Sequence, residues 1–266
     1  MAKIIKKGYQ LEEEYYGVKQ DEADKKTKNI RTLGKTVVAF IMIYTASIAV
    51  SVVVDIFSRV FIPLTVCLGF ALMIIAIFEC LRDNTLKYGD TDILVSGIYG
   101  ERIAAEVLAA LPDSYTIFQN VTVTYDNKKR EIDNIIVGKS GVFIVEVKNH
   151  NGHIVGDLND TYWTQHKVGH GGTPYANEMY SPVRQVGTQI YCLANYLRQN
   201  GANLYIEGMV YFVNESCLLS LTGSSAISVY SSFDGDTDQL YRQILSGNYN
   251  LDVRSINYIC KLINQL

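Results

Sequence analysis

The sequence predicts a mixed α/β fold, with a sheet flanked by helices, preceded by a transmembrane α-helical hairpin. Two observations predict this class. Two apolar runs of 19 uncharged residues each, at 36–54 and 60–78, come early in the chain. From residue 97 onward, a helical pattern is followed by strands with alternating apolar residues and then by further helices.

The composition divides the chain into five segments. Residues 1–35 are polar, with acidic and basic runs that are typical of a solvated tail, partly disordered or helical. The expected order is this tail, two transmembrane helices within 36–80, a polar linker (81–96), a core domain (97–214) and a C-terminal strand and helix extension packed on the core (215–266).

Each apolar run is long enough to cross a bilayer as a helix. At 1.5 Å per residue it would measure roughly 28 Å, close to the ~30 Å of the hydrocarbon layer. Lys and Arg are concentrated before the first run, whereas the turn between the runs holds only Arg59. This bias predicts a two-pass anchor in the cell membrane with both termini in the cytoplasm. The alternative is a buried helical hairpin in a soluble core, although neither run keeps the polar stripe of such a helix.

Charge and cysteine content limit the classes of function. The chain has 24 basic and 27 acidic residues, and the part from residue 100 onward has 12 and 16. An acidic domain is not what tight nonspecific binding of nucleic acid favours. The five cysteines are scattered without a CxxC pair. They are consistent with reduced, buried thiols and argue against a zinc ribbon or a disulfide framework.

The most informative stretch is Glu131–Asn149. It contains two short apolar strands, Ile132–Val137 and Val142–Lys148, separated by a tight turn. Gly138 and Gly141 bracket that turn, because glycine tolerates the backbone angles that a hairpin needs. We therefore expect a β-hairpin here.

The register of this hairpin would bring three charged groups together. If Lys139 and Ser140 are the loop residues, Asp133 lies opposite Glu146, and Lys148 projects from the same face. Two carboxylates at that spacing resist ionisation unless a cation lies between them, and oxygen donors suit Mg²⁺ (or Mn²⁺). The alternative is a strand end whose charges reach solvent, with the lysine simply neutralising one acid.

Further elements follow from periodicity and from turn residues. Ser181, Pro182 and Gly201 fit the cap, first position and stop of a helix between them. Glu101 opens an earlier helix, where the helix dipole alone would favour an acid. Trp163 is expected to cap an edge of the core. The predicted helices cover 97–112, 181–200, 238–245 and 253–266, and the other predicted strands cover 115–125, 152–157, 206–213 and 227–230.

All four histidines fall within a short part of the chain. They are His150, His153, His166 and His170. Their spacing is compatible with a zinc site, with a loop role near a substrate phosphate, or with ordinary surface histidines in loops. The glycine-rich segment Lys167–Tyr180 is expected to be mobile and to lie over the site.

Four stretches of residues 97–214 together resemble the nuclease-related domain (NERD) family. They are GIYGERIAAEVLAAL, EIDNIIVGKSGVFIVEVKNHNGHIVG, the single tryptophan, and SPVRQVGTQ. The resemblance implies the restriction-endonuclease-like mixed sheet of the PD-(D/E)xK superfamily. The family commonly has Asn before the proline of the last motif, whereas this chain has Ser181.

The resemblance also implies roles for individual residues. Asp133 and Glu146 would be the metal ligands, with the Val147 carbonyl a candidate third. Lys148 would orient or activate the attacking water. The other implied site residues are Glu101, near the metal, and Gln185, a polar group on the following helix.

Together with the two apolar runs, the resemblance predicts a membrane-anchored nuclease that hydrolyses phosphodiester bonds of DNA or RNA at a cytoplasmic, Mg²⁺-dependent site. Its expected partners are nucleic acid and, through residues 36–78, the lipid bilayer. The alternative is a catalytically silent, membrane-tethered module that binds or senses nucleic acid, which the acidic charge favours. A third interpretation is a structural membrane protein whose site charges are incidental.

Overall fold

The computed structural model of the chain describes residues 1–53, 88–169 and 171–266, together with 64, 66–71, 73–75 and 77–78. The chain divides into two compact units. The core unit comprises Met1–Leu11 and Ser96–Leu266, and the helical unit comprises Glu12–Val95. Every described candidate site residue lies in the core unit.

Ten strands and five helices are described. The strands are β1 (Lys3–Lys6), β2 (Thr116–Tyr125), β3 (Lys128–Gly138), β4 (Gly141–Lys148), β5 (Gly152–Asp157), β6 (Tyr162–Val168), β7 (Pro174–Tyr180), β8 (Ile206–Phe212), β9 (Cys217–Thr222) and β10 (Ser228–Ser231). The helices are α1 (Gln10–Val53), α2 (Tyr88–Ala109), α3 (Pro182–Gln199), α4 (Thr237–Leu245) and α5 (Val253–Asn264).

A six-stranded mixed sheet in the order β1-β2-β3-β4-β8-β10 forms the centre of the core unit. The strands β2, β3 and β4 pair antiparallel, whereas β1, β8 and β10 each join a neighbour in parallel. Buried residues of α3 and α5, such as Val186 and Ile263, pack on one face. Buried residues of α2 and α4, such as Leu108 and Ile244, pack on the other. The predicted α/β class with a helix-flanked sheet is confirmed.

The β3–β4 hairpin has the predicted register. Gly138 pairs with Gly141, and the pairing continues to Asn134 with Val145. Glycine is required at the first position because a Cβ there would lie 2.2 Å from the Tyr115 ring. Both the close packing and the tight turn therefore hold the register that brings the site residues together.

A second, four-stranded sheet in the order β7-β6-β5-β9 packs against the α3 side of the core. Trp163, on β6, is 1% exposed and lies inside this core, so the prediction that it caps an edge was wrong. The segment Lys167–Tyr180 was expected to be a mobile loop. Half of it instead belongs to β7, which pairs with β6 from Tyr162–Tyr180 to Val168–Pro174. Strand β9 was not predicted.

The N-terminal predictions also need correction. The supposed tail contains β1, which pairs in parallel with β2, and Ile4 and Ile5 lie opposite Ile117 and Phe118. Helix α1 then begins at Gln10 and runs unbroken to Val53, through the predicted boundary at residue 36. Helix α2 begins at Tyr88, so part of the predicted linker is helical. Pairing with a distant strand outweighs the polar composition of this segment.

The predicted transmembrane hairpin is not supported. Among the described residues, no helix is long and apolar enough to cross a membrane. Residues 36–53 of the first run continue helix α1, whose N-terminal part carries many charged side chains. Much of the run at 60–78 lies outside the described residues. The cytoplasmic location of both termini depended on these two spans, and it stays a prediction.

Candidate functional site

The candidate site lies where β3 and β4 separate. Their main-chain pairing ends at Asn134 and Val145. Beyond this point a side chain replaces a main-chain acceptor, because Oδ2 of Asp133 accepts a hydrogen bond from the Val147 N–H at 2.7 Å. Strand β3 continues along β2. The two strands therefore open a gap that side chains must fill.

A chain of polar side chains fills the gap on the α3 side. Glu146 is 1% exposed, and its Oε1 accepts a hydrogen bond from the Lys148 ammonium at 2.6 Å. Its Oε2 accepts one from the Gln189 side-chain amide at 2.7 Å. The same ammonium donates to Oε1 of Gln185 at 3.1 Å. Helix α3 thus supports both members of the ion pair.

Local sequence explains how α3 comes to present these glutamines. Ser181 caps the helix by accepting from the Arg184 N–H at 3.5 Å, and Pro182 occupies its first position. Gly201, at φ +82°, follows the last turn. These features match the predicted limits of the helix, so Gln185 and Gln189 lie one turn apart on the face toward β4.

Gln189 holds β3 and β4 together where the ladder between them has ended. Its amide N–H₂ donates both to Glu146 and to the main-chain oxygen of Glu131, the latter at 2.9 Å. The residue is fully buried, and its Oε1 has no hydrogen-bond partner in the described part of the chain. Gln189 was not predicted as a site residue. Its position four residues after Gln185 was the signal that could have identified it.

Glu101 belongs to the same cluster. It lies on α2, and its Oε2 accepts from the Asn120 side-chain amide at 3.0 Å. Asn120 interrupts β2 with a φ of +55°, which Asn tolerates better than most residues. Pairing of β2 with β3 continues on either side of it. The structure therefore brings Glu101, predicted from the sequence, to the end of the gap.

The acids of the site oppose one another's ionisation. Burial, and then the charge of Glu146, raise the pKa of Asp133 well above its usual value, although the Lys148 ammonium acts against this. Burial also raises the pKa of Glu131, and the charges of Glu101 and Glu146 add to the effect. Burial lowers the pKa of Lys148, but the two nearest carboxylates outweigh it and the pKa is raised. Glu131 was not predicted as a member of this cluster.

The oxygen donors of the candidate site are of the kind that a hard divalent ion prefers. Asp133 and Glu146 are carboxylates from adjacent strands, and a cation beside them would offset the repulsion that raises the Asp133 pKa. No three His, Cys, Asp or Glu side chains of the described residues are placed to hold a metal ion together. An ion held here would therefore take its remaining ligands from the main chain or from water.

The histidines do not form a zinc site among the residues that the structure describes. His153 and His166 lie on strands, not in the expected loops, and pair across β5 and β6 with ring centroids 6.1 Å apart. Burial, with the charges of Lys148 and Lys167, lowers the pKa of His150 to about 4. His170 lies outside the described residues.

Comparison with known proteins finds a family model that matches part of this chain. Residues 96–213 match the family model of the nuclease-related domain, NERD. The matched segment begins in α2 and ends just after β8, so it contains every residue of the acid cluster. The match supports a nuclease-related function for the domain.

The relative found among curated proteins is an uncharacterized protein of Bacillus anthracis. It is 41% identical to this chain over 71 residues, which are 26% of this chain and 34% of the relative. The alignment thus spans about a third of the relative's length. No solved structure matches the chain.

Proposed function

We propose that the nuclease-related domain of this chain is a metal-dependent nuclease that hydrolyses phosphodiester bonds of DNA or RNA. The observation that carries the proposal is the convergence of Asp133, Glu146 and Lys148 at one gap in the sheet. Placing three charged groups together with little access to water is costly, and such clusters are typical of functional sites. Because the domain matches the nuclease-related family model, phosphodiester hydrolysis is the reaction to test first.

The residues of the chain would divide the work as follows. Asp133 and Glu146 would hold Mg²⁺ or Mn²⁺, which when bound supplies charge neutralisation at the phosphate and a more acidic water. Lys148 keeps a positive charge beside that position, where it would orient water or a phosphate oxygen. Gln185 and Gln189 hold the lysine and the glutamate in their rotamers, and that rigidity favours catalysis.

Glu101 would act from the far end of the gap. Its side chain is held by Asn120, and its charge adds to those that raise the pKa of Asp133. As the fourth carboxylate of the cluster, Glu101 increases the attraction of the site for a cation. We therefore place Glu101 near the ion and assign it no proton transfer.

A second candidate function is a domain that binds nucleic acid without cleaving it. The ammonium of Lys148 already pairs with Oε1 of Glu146 at 2.6 Å, so this acid has a cation without any metal. Such a pair is stable by itself when both charges are hydrogen-bonded.

The decisive experiment uses the full-length protein, because the core unit includes residues from both ends of the chain. Labelled DNA and RNA would be incubated with the protein in Mg²⁺, in Mn²⁺ and in EDTA. We expect cleavage only with metal, and a loss of about 100-fold or more in Asp133→Asn and in Lys148→Met. Matched control variants are Asp113→Asn and Lys139→Met, since both side chains are exposed and lie outside the site.

Each outcome separates the candidates. Cleavage that survives both site variants would contradict the proposal and point to a contaminant or to another site. Binding without cleavage under any metal condition would favour the silent module. Isothermal titration of Mg²⁺ into wild-type protein and into Asp133→Asn provides a readout that does not depend on turnover.

A further inference from the structure

A groove lies on the second, four-stranded sheet. It has a volume of about 680 Å³, within the usual range of ligand sites. His153 of β5, His166 and Lys167 of β6, and Tyr175 of β7 line it, together with Ser216. We call it the hairpin groove.

The charge of the hairpin groove differs from that of the domain around it. None of the described residues that line it is acidic, and they include one lysine and two histidines. From residue 100 onward the chain has 16 acidic and 12 basic residues. A local surface without carboxylates is therefore a selective place for a phosphate group, and Tyr175, 45% exposed, offers a face for stacking.

His150 lies in the short connection between the end of β4, at the candidate site, and the start of β5, at the groove. This residue lies two positions after Lys148, and the charges of Lys148 and Lys167 both lower its pKa. Gly152 opens β5 with a φ of +87°, and a Cβ there would lie 2.4 Å from the His166 carbonyl oxygen. Glycine at this point lets β5 start directly against β6. Gly152, which lines the groove, follows Lys148 of the candidate site by four residues.

We propose that the hairpin groove binds the phosphodiester backbone of a nucleic-acid strand that extends from the Asp133, Glu146 and Lys148 site, with Lys167 as its main phosphate contact. This proposal rests on the proposed nuclease function, because that function places one end of the strand at the candidate site. His166 lines the same groove, and Nε2 of His153 lies 2.8 Å from the Ser220 hydroxyl oxygen. Binding then comes from a small surface without carboxylates, which explains how an acidic domain can hold a polyanion.

The test measures binding separately from cleavage. Fluorescence anisotropy of a labelled oligonucleotide, single-stranded or duplex, would be recorded in EDTA at several salt concentrations. We expect Lys167→Gln to weaken binding about fivefold, the equivalent of about 1 kcal/mol. It should also reduce the slope of log K against log salt by about 0.7 for a single strand or 0.9 for a duplex. In the presence of metal, KM should rise while kcat stays unchanged.

The controls keep the two proposals distinguishable. Lys139→Gln removes an exposed lysine at the opposite end of the β3–β4 hairpin and should leave affinity and slope unchanged. The double variant His153→Gln, His166→Gln tests the groove without the lysine and should also weaken binding. Wild-type affinity and slope in both groove variants, or no binding by the wild type, would overturn the groove proposal. Binding that weakens as expected in a protein that never cleaves would overturn the nuclease function alone.

Discussion

Replacing Gln189 by leucine tests whether one buried amide holds the two strands of the site together. Leucine has a similar volume and fits a helix, so the change removes hydrogen bonds without emptying space. The amide donates to Oε2 of Glu146 at 2.7 Å and to the Glu131 carbonyl at 2.9 Å. Both bonds are lost in the variant.

The expected loss of stability follows from these two bonds. A hydrogen bond to an ionised group contributes about 1.5–3 kcal/mol, and a neutral one about 0.5–1.5 kcal/mol. Leucine also removes the side-chain oxygen of Gln189, which is buried without a partner in the described residues, and this offsets part of the loss. We expect a net decrease of about 2 kcal/mol in the free energy of unfolding.

Tryptophan fluorescence during urea unfolding is a suitable assay. The chain has a single tryptophan, Trp163, which is buried in the core unit and therefore reports on that unit alone. Gln185→Leu is the matched control, because Gln185 is only half-buried and water can replace its bond to the lysine. We expect that control to cost less than about 1 kcal/mol.

A double-mutant cycle with Glu146→Gln makes the test specific. If the amide acts through the carboxylate, the two changes should couple by about 1–2 kcal/mol. Independent effects, or a Gln189→Leu variant within about 0.5 kcal/mol of the wild type, would refute the assignment. The site would then be held by the main chain alone.

Three further predictions use the same fluorescence assay. The pKa of His150 is about 4 in the folded protein against an ordinary value of 6.5, so the unfolded chain takes up a proton first as the pH falls. The free energy of unfolding of the wild type should therefore decrease by up to about 3 kcal/mol between pH 6.5 and 4. The variant His150→Gln should lack that part of the decrease. Gly138→Ala should lower the free energy of unfolding by about 1–3 kcal/mol, because the new Cβ would overlap the Tyr115 ring. Gly171→Ala is the control and should be neutral, because a Cβ there has nothing within 4 Å. Equal effects of the two changes would contradict the packing argument. Deleting residues 1–7 removes β1 and its pairing with β2 and should cost about 3 kcal/mol or more, while alanine at Lys3 and Lys6, which keeps the main chain, should not.

Local features of the sequence determined the centre of the site. The β3–β4 register depends on a short turn and on alternating apolar residues, both of which can be read from adjacent positions. Because side chains alternate along a strand, that register alone places Asp133, Glu146 and Lys148 toward one side. The limits of α3 were equally local, since a serine cap, a proline and a final glycine mark them.

Long-range packing decided what lies around that centre. Strand β1 joins the sheet beside a strand more than a hundred residues away, and no local pattern in a short lysine-rich segment could indicate that partner. The same is true of Glu131 and Gln189, whose roles appear only when α3 covers the gap between β3 and β4. The sequence by itself determined which charged groups share a strand pair. Only the tertiary structure decided how they are paired, buried and shifted in pKa, because burial and electrostatic environment depend on residues brought together by folding.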